Sequence, residues 1–168
     1  MIVTQFIHLL QMLGLVALQV LLLNHIHLFG YATPMVFVAF LLYFPLNASR
    51  IGVLLWGFAM GLVVDIFSNT LGMATASMTL AAMVQQPLLA MMAPRDSAEN
   101  ITANYQTMGR STHIRFIILL VLVHHTVFYL LESFSFHHPL QLLISFLSGT
   151  LLSILLILTL EVFRGKRK

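Results

Sequence analysis

The feature that most constrains this chain is a succession of long apolar runs separated by short polar stretches. A bilayer core accommodates about 20 apolar residues as a helix, so runs of this length are expected to face lipid. Of the 168 residues, 60% are hydrophobic and only 8% are charged, whereas a soluble domain of this size needs a far more polar surface. The sequence therefore predicts an all-α, polytopic membrane protein folded as a single integral membrane domain.

Six apolar runs are predicted to be membrane spans. They cover residues 6–23, 34–46, 51–67, 72–93, 114–131 and 139–163. Run 34–46 is short for a straight span and is bracketed by Pro34 and Pro45, a pattern that also fits a re-entrant or tilted segment. The one extended polar stretch, residues 94–113, is expected to be either an amphipathic surface helix or an adaptable loop.

The basic residues predict the orientation of the bundle. If all six runs cross and the N-terminus is cytoplasmic, then 47–50, 94–113 and both tails are cytoplasmic. All eight basic residues then lie on or next to that side: Arg50, Arg95, Arg110, Arg115, Arg164, Lys166, Arg167 and Lys168. The positive-inside rule therefore favours six transmembrane helices with both termini in the cytoplasm. Scattered at the ends of apolar runs, these residues indicate contacts with phospholipid and not with nucleic acid.

The sequence gives little support to catalysis or cofactor binding. The chain has no cysteine, which excludes disulfides and thiolate metal sites. It has no G-x-S-x-G, H-E-x-x-H or P-loop pattern, so we predict no enzyme, no catalytic residue and no cofactor. An intramembrane serine protease would need a serine and a histidine on facing helices. Ser77 and His124 are the pair to consider, and hydrogen-bond reach between them is the geometric test.

Four histidines fall on the expected outer side: His25, His27, His137 and His138. Four imidazoles can bind zinc or copper. However, the H-x-H and H-H pairs come from separate loops and are more typical of interfacial histidines, so no metal site is predicted.

Asp65 is the most informative single residue, because an ionisable group close to hydrocarbon marks a functional or a packing site. A spacing of four residues places a set of polar and small residues along one helix stripe: Gly57, Gly61, Asp65 and Asn69. Glycines at this spacing let a second helix approach closely. Two interpretations stay open. Asp65 either anchors a partner contact or buried polar network at this seam, or caps the turn through residues 68–70.

A second polar face is predicted on the fifth run. His125, Tyr129 and Glu132 are spaced i, i+4 and i+7, which places them on one side of a helix. A His–Glu pair in a membrane can relay protons, or it can form interhelical hydrogen bonds. The structural interpretation is favoured, because Glu132 falls at the outer helix end, where water can reach it.

Three segments carry a resemblance to a known family: LQVLLLNHIHLFGYATP (18–34), GFAMGLVVDIFSNTLGM (57–73) and LVHHTVFYLLESFSF (122–136). With the length and the six-run layout, they resemble the MreD family of bacterial rod-shape-determining proteins over nearly all of the chain. The spacing Gly61-x3-Asp65-x6-Gly72 looks like the glycine–aspartate–glycine pattern of that family. The segment APRD (93–96) is similar to members from Bacteroides-like bacteria.

The resemblance implies a non-catalytic adaptor of the bacterial cytoplasmic (inner) membrane, within the elongation machinery that maintains rod shape through lateral peptidoglycan synthesis. The implied partners are an MreC-like protein and, indirectly, MreB-, RodA- and penicillin-binding-protein-type components, together with membrane lipids. The implied fold is similar to the substrate-binding subunits of energy-coupling-factor transporters. Gly61, Asp65 and Gly72 would then serve packing and partner contact, and Asp65→Leu is expected to weaken assembly with the MreC-like partner more than insertion.

The alternative function is a small-molecule transport subunit of the vitamin-uptake type, which would need a polar pocket between helices. The residues available for such a pocket are Asn69, Gln85, Gln86, His124 and Glu132.

Overall fold

The computed structural model describes residues 2–25, 33–70, 72–94, 101–134 and 139–165. Its α-helices are Ile2–Ala17 (α1), Arg50–Ser68 (α2), Met73–Met92 (α3), Tyr105–Met108 (α4), Arg110–Ser133 (α5) and Pro139–Gly165 (α6). A π-helical turn, Leu18–Leu22, and a 3-10 turn, Leu23–His25, continue α1. The described residues contain no strand apart from one bridge between Pro45 and Thr102, so the all-helical prediction is confirmed for them.

Four helices in these ranges are long and apolar enough to cross a membrane: Val3–Leu22, Arg50–Ser68, Arg110–Ser133 and Leu140–Arg164. They coincide with four of the six predicted runs, and the chain is a membrane protein. The α3 helix matches the predicted run 72–93 in length but not in hydropathy, because it carries polar residues such as Ser77, Gln85 and Gln86. The α5 helix begins inside the predicted loop 94–113, which also contains the short α4.

The helices pack in sequence along the chain. The α2 and α3 helices form an antiparallel hairpin, α3 packs against α5, and α5 packs against α6. Two residues in the left-handed region make the hairpin turn: Asn69, with φ of 56°, ends α2, and Gly72, with φ of 87°, precedes α3. A glycine adopts this conformation without steric cost.

The predicted second span is not an α-helix, and this prediction is therefore wrong about its backbone. Residues 33–36 are irregular, Phe37–Tyr43 is a 3-10 helix, and Phe44 is extended. Prolines at 34 and 45 prevent an α-helix from running through either end. From Val36 to Leu42 no residue is more than 5% exposed, so the segment occupies the core of the bundle. We call residues 33–46 the core segment.

Polar side chains from α1 and α6 satisfy the backbone at the start of the core segment. The Gln19 side chain donates from Nε2 to the Pro34 carbonyl at 2.9 Å and accepts from the Val36 amide at 3.0 Å. The Met35 amide donates to Ser153 Oγ at 2.8 Å. Irregular backbone at membrane depth is tolerated only where protein or water satisfies its polar groups, and these bonds meet that condition.

Two glutamines of α3 perform the same task at and just beyond the other end of the segment. Gln85 Nε2 donates to the Phe44 carbonyl at 3.2 Å, and Gln86 Nε2 donates to the Ala48 carbonyl at 2.6 Å. Both glutamine side chains are buried. These bonds explain why α3 carries two adjacent glutamines in its interior.

The core segment runs alongside α1, from the level of Gln19 to the level of His8, whose ring stacks on Phe44. The α1 and α2 helices end together, since Asn24 Nδ2 donates to Ser68 Oγ at 2.7 Å. The chain must therefore return between them, and the core segment provides this return. It begins beside Gln19, and its last residue, Leu46, donates to the Ile101 carbonyl at 2.9 Å, close in sequence to the start of α5. We call the end where α2 meets α3 the outer end, after the predicted orientation, and the opposite end the inner end.

Candidate functional site

The Asp65 carboxylate holds the outer corner of the α2–α3 hairpin. It accepts hydrogen bonds from the Ala74 amide at 2.9 Å, the Thr75 amide at 2.7 Å and the Thr75 hydroxyl at 2.5 Å, and also from the Thr70 hydroxyl. The two amides belong to the first turn of α3, where N–H groups lack partners within the helix. Asp65 therefore caps α3 from the preceding helix, and its negative charge lies at the positive end of the α3 dipole.

The glycines of the predicted stripe bring α2 and α3 into close contact. A Cβ atom at Gly61 would lie 2.5 Å from Thr75 Cα and 2.6 Å from the Ala74 carbonyl oxygen. A Cβ atom at Gly57 would lie 2.8 Å from Ala82 Cβ. With Asn69 and Gly72 in the turn, the stripe serves packing and turn formation within the chain. Asp65, which is 7% exposed, faces α3.

Two histidines and two serines form a chain of polar contacts across the core. Ser77 Oγ lies 3.1 Å from His124 Nε2, His124 Nδ1 lies 3.4 Å from His125 Nδ1, and His125 Nε2 lies 3.0 Å from Ser153 Oγ. The exposed fraction of each of these residues is 0%. The contacts join α3, α5 and α6 around the core segment, with Phe37 edge-on against the His124 ring at 5.0 Å.

The contacts indicate the proton positions of two neutral histidines. The Val121 carbonyl, 3.0 Å from His125 Nδ1, can only accept, so the proton is on Nδ1 and Nε2 is an acceptor. The single proton of the Ser153 hydroxyl is shared between this Nε2 and the Gly149 carbonyl, which lies 2.7 Å from Ser153 Oγ. His124 then donates from Nε2 to Ser77 Oγ, whose own proton goes to the Ala74 carbonyl at 3.1 Å.

Ser77 and His124 thus meet the distance expected of a nucleophile and its base. In this assignment, however, the histidine donates to the serine, whereas a base must accept its proton. Both residues are fully buried, so no substrate can reach the hydroxyl. The contact is explained by its role in joining helices.

The residues of the predicted polar face of α5 lie in two environments, the core and the outer end of the helix. His125 bonds within the core, its ring lies 6.2 Å from that of Tyr129, and Glu132 is half-buried at the outer helix end. Within the described ranges no hydrogen bond connects His125 to Glu132.

A cavity of about 320 Å³ lies at the outer end, between α1, α2, α5, α6 and the start of the core segment. Its apolar lining comes from Met35, Phe37, Val64 and Phe128. Its polar lining comes from the following residues: Gln19, Asn24, Thr33, Ser68, Thr70, Tyr129, Glu132 and Ser145. We call it the outer cavity.

Of the five residues predicted for a polar pocket, only Glu132 lines the outer cavity. Gln85 and Gln86 bond to backbone towards the inner end, His124 belongs to the buried histidine chain, and Asn69 forms the hairpin turn. These five residues, the candidates for the transport alternative, therefore do not form one pocket.

A second polar cluster, which the sequence analysis missed, lies at the inner end. Glu161 accepts from Arg164 Nη1 at 2.7 Å and lies 3.2 Å from His113 Nε2. The Arg164 guanidinium stacks 4.4 Å from the Tyr43 ring centroid, and the Tyr105 ring packs edge-on against His113. Burial, and then the nearby Glu161 carboxylate, raise the pKa of the Tyr105 phenol above its usual range. The one signal available was the i, i+3 pairing of Glu161 with Arg164 in an apolar run.

The side chains of His25, His27, His137 and His138 lie outside the described part of the structure. Within that part, no three His, Asp or Glu residues come together in a way that could hold a metal ion.

Comparison with models of protein families, with curated proteins and with solved structures finds no match to this chain, so its function has to be inferred from its own residues and geometry.

Proposed function

We propose that the chain is a non-catalytic adaptor of the bacterial inner membrane, which connects an MreC-like partner to the machinery of lateral peptidoglycan synthesis. The observation that carries this proposal is the exposure of its two peripheral helices, α1 and α6. Only 22% of the residues in the spans of α1 and of α6 are buried, compared with 44% in α5. Their apolar faces are available to lipid or to the helices of partners, while the polar groups described above point inward and hold the fold.

Gly14 marks a place on α1 where a partner helix can approach. A Cβ atom built on Gly14 meets no atom of the chain within 4 Å, and the neighbouring Leu10 and Leu13 are exposed. A small residue on an exposed membrane helix permits close contact with a second helix. The resemblance to the MreD family supplies the identity of the proposed partner.

Depletion of the protein from its native bacterium tests the adaptor role. The expected result is rounding of the cells, measured as a falling length-to-width ratio, while solute uptake continues. Gly14→Leu is expected to reduce co-purification with the MreC-like protein at unchanged protein level, whereas Leu62→Phe on the exposed face of α2 is the matched control. Rod shape that persists through depletion would count against the proposal.

We also propose six crossings with both termini in the cytoplasm, with the core segment as the second. Its seven 3-10 residues rise about 2.0 Å each, or about 14 Å in all, so a hydrocarbon core of about 30 Å is crossed by the 3-10 helix together with the residues that flank it on both sides. The parallel directions of α1 and α2 and the positions of the basic residues support the same topology.

The absence of cysteine makes this topology simple to test with single-cysteine variants and an impermeant maleimide. Thr4→Cys, Ser49→Cys and Gln106→Cys are expected to react only from the cytoplasm, and Phe134→Cys only from outside. Labelling of Thr4→Cys and Ser49→Cys from opposite sides would mean that the core segment does not cross.

The second candidate is a transport subunit of the vitamin-uptake type, with a fold similar to the substrate-binding subunits of energy-coupling-factor transporters. The outer cavity is the observation that favours it, because such a subunit needs a polar pocket between its helices. Cells that keep their shape on depletion but lose uptake of a vitamin would support this function.

A further inference from the structure

We infer that the outer cavity is a binding site for a small organic cation with an apolar, preferably aromatic, body. This inference goes beyond the adaptor role and does not depend on it. At about 320 Å³, the cavity has the volume of a small-ligand site.

The carboxylate of Glu132 is the group that gives the cavity its charge preference. Glu132 is half-buried and lines the cavity, and its side-chain carboxylate forms no hydrogen bond or ion pair with any other residue in the described ranges. Among the described residues that line the cavity there is no lysine, arginine or histidine. A partly desolvated carboxylate without a counter-charge is stabilised by a cation, and an ammonium group would supply both charge and hydrogen-bond donors.

The aromatic rings of the lining favour an organic cation over a metal ion. Phe37, Phe128 and Tyr129 all line the cavity, and the rings of Phe128 and Tyr129 meet edge-to-face with centroids 5.8 Å apart. Aromatic faces attract cations, and they also bury an apolar body. A divalent metal would instead need several oxygen ligands, and the lining residues that the structure describes include one carboxylate, that of Glu132.

Most other polar groups of the lining already have partners, so they shape the site and do not compete for the ligand. Asn24 bonds to Gln19 and to Ser68, and the Thr70 hydroxyl bonds to Asp65. These bonds fix the outer ends of α1 and α2 around the cavity. A wall held in place before binding lowers the ordering cost of association.

Titration calorimetry on the purified full-length chain in detergent tests the site with three probes of similar shape: phenethylamine, 2-phenylethanol and phenylacetate. At neutral pH these are a cation, a neutral molecule and an anion. We expect phenethylamine to bind at least about tenfold more tightly than 2-phenylethanol, because a charge-assisted hydrogen bond contributes more than a neutral one. Phenylacetate is expected to bind most weakly. Empty micelles are titrated in parallel to correct for partitioning.

Glu132→Gln, which keeps the shape of the side chain, is expected to lower the affinity for phenethylamine to that for 2-phenylethanol and to leave the alcohol unaffected. Glu99→Gln removes the same charge from the predicted cytoplasmic stretch and should change nothing. Ser145→Phe, which fills the cavity, should abolish binding of both probes. Size-exclusion profiles establish that each variant is folded.

Equal affinities for the amine and the alcohol in the unmodified chain, or an amine preference that survives Glu132→Gln, would overturn the inference. So would the absence of binding by all three probes, which would mean that Glu132 is merely hydrated. None of these outcomes bears on the adaptor role, because the titration contains no partner protein.

Discussion

Asp65 shows how a carboxylate can lie close to hydrocarbon and still serve the fold. Its two oxygens accept from two amides of α3 and from two threonine hydroxyls. Charge-assisted bonds of this kind offset the cost of removing the carboxylate from water. The cap also explains the spacing in Gly61-x3-Asp65-x6-Gly72. Gly61 allows the close contact with α3, Asp65 caps α3, and Gly72 lies in the turn that precedes α3.

We therefore expect Asp65→Leu to act on stability first. Loss of the carboxylate leaves the Ala74 and Thr75 amides unpaired, which should lower the free energy of unfolding by about 2 kcal/mol or more. The measurement is unfolding by SDS, followed by circular dichroism, with Asp65→Asn as a milder variant that retains one acceptor oxygen. An unchanged unfolding midpoint with reduced binding of the MreC-like protein would instead favour the partner-contact interpretation.

At the scale of the elements, the α2–α3 pair depends on the absence of side chains at two positions. The atoms that a Cβ at Gly61 would meet are backbone atoms of Thr75 and Ala74, which cannot move without separating the two helices. Close packing of this kind is a main source of helix association in a membrane, where no hydrophobic effect drives helices together.

Gly61→Ala and Gly14→Ala make a matched pair for testing this contact. We expect Gly61→Ala to lower the free energy of unfolding by about 1–3 kcal/mol through overpacking. Gly14→Ala should be neutral or slightly stabilising, since its Cβ meets nothing and alanine favours helix. SDS unfolding of both variants under the same conditions provides the comparison, and equal midpoints would exclude a tight seam at Gly61.

The core segment depends on polar bonds in the same way that the hairpin depends on glycines. Gln19→Leu leaves the Pro34 carbonyl and the Val36 amide buried without partners, and we expect a loss of about 2 kcal/mol or more in stability. Gln5→Leu is the control, because Gln5 is exposed and bonds only to Trp56 at the surface, so its loss should stay within about 0.5 kcal/mol. Similar unfolding midpoints for the two variants would contradict this assignment.

At the scale of the whole molecule, the sequence predicted the features that depend on the length of an apolar run and on the spacing of residues along a helix. Runs of apolar residues located α2, α5 and α6 within a few residues of their ends, and a four-residue spacing indicated the Gly57–Gly61 seam. The conformation of the core segment was missed, because its bonding partners, Gln19 and Gln85, lie on either side of it in the sequence. The outer cavity was missed for the same reason, since four helices and the core segment together form it.

The inner cluster joins α5, α6 and the core segment. Glu161 of α6 lies against His113 of α5, and Arg164 of α6 stacks on Tyr43 of the core segment. Glu161→Leu is expected to lower the free energy of unfolding by about 1–3 kcal/mol, since it leaves the half-buried Arg164 guanidinium and the buried His113 Nε2 without this hydrogen-bond partner. It should also increase trypsin cleavage after Arg110, measured by mass spectrometry. Thr159→Val, an exposed change on the same helix, is the control. Equal cleavage in both variants would contradict a role of the cluster in holding the inner ends of α5 and α6 together.

The irregular core segment also has a consequence for biogenesis. A ribosome delivers Phe44 to the translocon 41 residues before Gln85, the side chain that accommodates its carbonyl. The nascent chain therefore contains α1, the core segment and α2 before α3 can complete their polar bonds. Insertion of this protein therefore cannot finish helix by helix, and the core segment reaches its final bonding arrangement only once α3 has been made.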